Sequence, residues 1–81
     1  MSKYSKDIAQ ALRNVKKPFP ELKISVLEYP DFLQINVFEN QIMGLDDNQR
    51  GAVFDYLIIC RNVVQSYGVQ CELGGLKGDP R

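Results

Sequence analysis

The stretch from Leu45 to Tyr67 leaves this chain little freedom in how it folds. Asp46 and Asp47 precede Gln49, the pattern of a capping box in which a carboxylate accepts from a first-turn N–H while the amide reaches back. Gly68, free to take a positive φ, stands just past the other end. Between these signals Val53, Tyr56, Leu57, Cys60, Val63, Val64 and Tyr67 recur at three- and four-residue spacing, which collects them on one side of a long helix. No other segment is as long or as apolar, so the rest of the chain must be arranged to cover it.

The 81 residues are enough for one domain. A chain of this size buries only about 60–65% of its unfolded surface, so the helix and a small sheet must share a single core. The apolar content of 44% and charged content of 25% are those of a globular protein. No apolar run approaches the roughly 20 residues a bilayer span needs, so no membrane role is expected. The opening MSKYSKDIAQ carries lysine but no apolar run, does not read as a secretory signal, and leads to the expectation of a cytoplasmic protein. Cys60 falls on the apolar side of the helix and Cys71 on an alternating segment. Without an export signal both are expected as small buried hydrophobes rather than a disulfide, with a Cys60–Cys71 bridge as the alternative.

Ahead of the main helix, residues 3–17 read as a shorter one. Tyr4, Ile8, Leu12 and Val15 form a narrow apolar stripe beside Ala9 and Ala11, while Lys6, Arg13 and Lys17 stay outside it. Ser2 or Ser5 can cap its start, Lys16 and Lys17 complement the dipole at its end, and Pro18 and Pro20 stop it. Leu22 to Glu39 then alternates as a β-hairpin. Tyr29-Pro30-Asp31-Phe32 forms the turn, which sets Val26 opposite Ile35 and Ile24 opposite Val37 on one face. Asn40 to Gly44 reads as a connection, Val69 to Leu73 as a third strand, and Gly74 to Arg81, with three glycines and a proline, as a flexible C-terminal tail. The order α-β-β-α-β predicts a two-layer α+β domain over residues 1–73, with two helices on one face of a three-stranded sheet.

Catalytic chemistry is hard to place on this chain. It contains no histidine, hence no usual general base, no partner for a Ser or Cys nucleophile and no common metal ligand. Two separated cysteines do not make a zinc site, and no glycine-rich phosphate loop precedes a helix. The run Asp46-Asp47-Asn48-Gln49-Arg50-Gly51 has the opening of a calcium loop, but Arg50 stands where a ligand belongs and Leu57 where the bidentate glutamate should be. Gly75-Leu76-Lys77-Gly78 matches the GxxG spacing of KH domains, yet it falls at the C-terminus rather than between two helices. No cofactor, metal or small-molecule substrate is evident, and the expectation is a protein that is not an enzyme.

The net charge is zero but unevenly spread. Met1 to Lys23 carries six Lys or Arg against two acids, Glu28 to Asp55 six acids against one Arg, and Arg61 onward three bases against two acids, giving +4, −5 and +1. A broadly basic nucleic-acid footprint is therefore missing. What remains is apolar surface beyond the needs of one core. The hairpin face opposite Val26 and Ile35 carries Leu27, Tyr29, Phe32 and Phe38 near Lys23, and the main helix carries Phe54 and Ile58 off its apolar side. These seven residues are the candidate interaction surface. The function expected is a small, self-associating protein–protein interaction module, either a homo-oligomer or the partner of another protein, of the kind found as an accessory protein in bacteria or phages. The alternative is single-stranded nucleic-acid binding, with the rings stacking on bases and Lys23 and the first helix meeting phosphates. Its weakness is the acidity of the same hairpin at Glu28, Asp31 and Glu39.

Overall fold

In the computed structural model residues 4–77 are described, the last three by their backbone alone. The chain runs α1 (Lys6–Asn14), β1 (Ile24–Glu28), β2 (Leu33–Phe38), α2 (Glu39–Ile42), α3 (Asp47–Gln65) and β3 (Cys71–Lys77). It is the expected α+β architecture, with the single turn of α2 inserted where a plain connection was expected.

The sheet order is β1-β2-β3. β1 and β2 are antiparallel, with Ile24 opposite Val37 and Val26 opposite Ile35, the register read from the alternation. The turn closes through the Tyr29 N–H donating to the Phe32 carbonyl at 2.9 Å. β3 lies parallel to β2 on its other side, so β2 is the central strand and α3 the crossover between parallel neighbours.

Leu33, Ile35 and Val37 of β2 point into the core with Ile8 and Leu12 of α1, Val53, Leu57, Cys60 and Val64 of α3, and Cys71 of β3. Each fully buried aliphatic side chain contributes about 1.5–3 kcal/mol. α1 depends on that packing, since nine residues are too few to hold a helix alone. Ser5 caps it by accepting from the Ile8 N–H at 3.2 Å. The capping box of α3 forms in both directions: Asp46 accepts from the Gln49 N–H at 2.7 Å, and the Gln49 amide oxygen accepts from the Asp46 N–H at 3.3 Å. Gly68 has φ 79°.

Two expectations are corrected. Tyr67 belongs to the solvent rather than the apolar side of α3, being 49% exposed, because the helix gives way at its C-cap, Ser66. The third strand starts later and runs past Leu73 to Lys77, into what was expected to be tail. Gly74 allows this: the register passes from Ile35–Leu73 to Asn36–Gly75, so Gly74 is the extra residue of a bulge. A β-carbon there would collide with Asn36 Oδ1 and come within 2.7 Å of Gln34 Cδ. Gly75 to Lys77 consequently lie in a strand, not in a phosphate-gripping loop, and residues 78–81 lie outside the described part. Both cysteines are free and buried, so the disulfide alternative is set aside.

Candidate interaction surface

The seven candidate residues fall into three places. Leu27, Phe32 and Phe38 belong to the sheet face turned away from the helices. All three are half-buried and none packs against the core. Tyr29, 38% exposed, stacks on Phe32 with ring centroids 4.9 Å apart and planes 16° apart, so the turn carries a rigid aromatic pair.

This face is not one apolar patch. Leu27 pairs with Gln34 and Ser25 with Asn36, and Gln34 pairs with Glu72 on the other side, which sets polar side chains between Leu27 and Phe38. Asn36 at the centre is 1% exposed. Its Nδ2 donates to Gln34 Oε1 at 3.1 Å, while its Oδ1 has no partner among the described residues. An unpaired buried acceptor is costly. The close approach of Gly74 to the same atom shows how tightly the bulge closes on it.

Lys23 stands apart from these rings. It lies at the mouth of a groove of about 350 Å³ between α1 and β1, together with Arg13 and Lys17, over a floor that includes Leu12, Val26 and Tyr56. Its backbone N–H donates to Gln41 Oε1 at 3.0 Å, tying the start of β1 to α2. In the sequence Arg13 and Lys17 read as the polar side and the dipole-complementing end of the first helix, not as part of the candidate surface. Their helical spacing gave the signal, but only the packing of α1 against β1 brings Lys23 to them.

Phe54 and Ile58 lie on α3 and are 54% and 38% exposed. They belong to a longer row: Asp47, Gly51, Phe54, Ile58, Arg61 and Gln65 follow one another at alternating four- and three-residue steps, which is one stripe of a helix. Five of the six are exposed and Arg61 is half-buried. The stripe faces the β3 side. Gln65 Nε2 donates to the Cys71 carbonyl at 3.2 Å, and Arg61 is near enough to Cys71 for its charge to act on that thiol. α1 lies on the opposite flank, where Lys16 and Lys17 share a groove with Ala52, Tyr56 and Ile59.

Gly51 adds an unexplained expense. Inside a helix it is about 1 kcal/mol worse than alanine, and nothing lies within 4 Å of where its β-carbon would be. Among the described residues no neighbour requires the gap.

Burial pushes the Cys60 thiol up, with the neighbouring Tyr56 hydroxyl opposing it. Burial likewise raises Cys71, against the influence of Arg61. Both thiols therefore stay protonated at neutral pH and are poor nucleophiles. Tyr56 is raised as well, chiefly by burial and then by Cys60. Among the described residues no group of three or more His, Cys, Asp or Glu could hold a metal ion, and no helix is long and apolar enough to cross a membrane.

No protein-family model, curated protein or solved structure matches the chain.

Proposed function

We propose that this chain is a small protein–protein interaction module that associates with a second copy of itself, and that the outer stripe of α3 is the contact. The observation that carries this reading is the exposure of Phe54 and Ile58, one turn apart on α3 beside the buried row Val53, Leu57, Cys60 and Val64. Large apolar side chains left bare beside each other on a small domain mark a contact surface more often than chance placement. The bare stripe is favoured over the sheet face because the latter is divided by Ser25, Gln34 and Asn36. A single helical stripe is a small interface, so the association is expected to be weak, in the micromolar range or above.

Single-stranded nucleic-acid binding is supported less well. It needs rings and cations along one track, whereas Arg13 and Lys17 lie on the helix side of the sheet and Leu27 and Phe38 on the other. Sedimentation velocity over a range of concentrations, with and without a single-stranded oligonucleotide, separates the two. A concentration-dependent dimer indifferent to the oligonucleotide and abolished by Phe54→Lys is the expected result. A monomer that sediments faster only with the oligonucleotide would replace this reading by the alternative.

A further inference from the structure

The same stripe has an order that selects one way of pairing, and this step rests on the self-association reading above. We infer that two copies dock α3 against α3 in antiparallel fashion, about a two-fold axis level with Tyr56.

The steps 47-51-54-58-61-65 are the four-three alternation of a coiled-coil seam. An antiparallel partner with its axis level with Tyr56 brings each seam residue opposite one of the other copy: Phe54 meets Ile58, Gly51 meets Arg61, and Asp47 meets Gln65, each twice by symmetry. All three meetings make chemical sense. The two ring–aliphatic layers fill the centre. The missing side chain of Gly51 leaves space for the long Arg61 side chain, whose Nε is buried and unpartnered among the described residues. Crossing there, the guanidinium comes within one helical turn of Asp47. The Gln65 amide uses one N–H on the Cys71 carbonyl and has a second for the Asp47 carboxylate.

A parallel pair would do the reverse. It would stack Asp47 on Asp47, Arg61 on Arg61 and one Gly51 gap on another, placing like charges together at both ends of the seam. Asp47 also sits in the first turn, where the helix dipole favours an acid. That accounts for its presence at the N-terminus of α3, though not for its place on the seam with a base fourteen residues on.

Two measurements on the full chain test the arrangement. In sedimentation equilibrium, Asp47→Lys and Arg61→Glu should each weaken the dimer about tenfold, since each turns an attraction into a repulsion at two symmetric places, and the double variant should return close to the parent. Second, a nitroxide attached through Asp47→Cys, read on an unlabelled-spin ¹⁵N partner, should broaden the amide of Gln65 and spare that of Asp47. The buried native thiols leave the introduced cysteine as the reactive one. A parent chain that stays monomeric at all concentrations overturns the self-association reading itself. A dimer broken by Phe54→Lys, but in which the label broadens Asp47 rather than Gln65, overturns the antiparallel order alone. Should Arg61→Glu unfold the monomer, the label decides without it.

Discussion

Two stripes run side by side along α3, one residue out of step, and they meet opposite fates. Val53, Leu57, Cys60 and Val64 form the inner one, each at most 2% exposed. Phe54, Ile58, Arg61 and Gln65 form the outer one, every position following its inner neighbour, and there Phe54 is 54% exposed. Spacing is identical and the apolar character of the first two layers is alike. The difference comes from what the topology supplies: a three-stranded sheet covers the inner stripe, α1 packs on the far flank, and among the described residues no further element lies beyond the edge strand β3. Periodicity thus identifies apolar faces. Which of them finds cover inside the molecule is a question of tertiary arrangement.

The widest gap between the stripes should appear on truncation. Leu57→Ala removes a fully buried side chain and should cost about 2–5 kcal/mol, a large part of the roughly 5–15 kcal/mol that holds a domain together. Phe54→Ala, judged on the monomer by denaturant unfolding at low concentration, should move stability by no more than about 0.5 kcal/mol while weakening association. Equal losses would mean that Phe54 packs within its own chain.

The sheet repeats the contrast one strand over. Val37→Ser places an unpaired hydroxyl in the core and should cost about 1–3 kcal/mol, whereas Phe38→Ser, on a ring that touches no core residue, should be close to neutral. Thermal melts of the pair would expose an error in this assignment by inverting the order.

These sequence-level distinctions were available because a hairpin with β-branched alternation fixes its own register, as Ile24–Val37 and Val26–Ile35 show. The ends of α3 were legible for a similar reason. Asp46 and Gln49 act locally, and Asp46→Ala should cost about 1 kcal/mol, the usual loss of a cap, without touching any ion. What sequence could not show were features made by distant segments meeting. The bulge at Gly74 depends on Asn36, and a glycine-rich run read locally looks like tail. The groove holding Lys23 with Arg13 and Lys17 depends on where α1 lies. The alternation with Ile35 and Val37 puts Asn36 on the outer face of β2, and only the packing of its neighbours makes it the buried polar group of the structure.

The smallest effect sharpens the comparison most, because it should carry opposite signs in the two assays. Gly51→Ala adds a methyl group to an exposed helical position with nothing within 4 Å. The monomer should gain from a few tenths to about 1 kcal/mol, through the better helix propensity of alanine and the smaller entropy of the unfolded chain. In the antiparallel pair that methyl group occupies the space where the partner's Arg61 crosses, so the dimer should weaken while the monomer melts later. Unfolding measured at micromolar and at high concentration, alongside sedimentation, reads both effects from one variant. A stabilised monomer with undiminished association would mean that the gap at Gly51 accommodates nothing, and the docking order around it would have to be abandoned. Loss of monomer stability would instead reveal a neighbour at Gly51 within the chain, and the stripe would no longer count as bare.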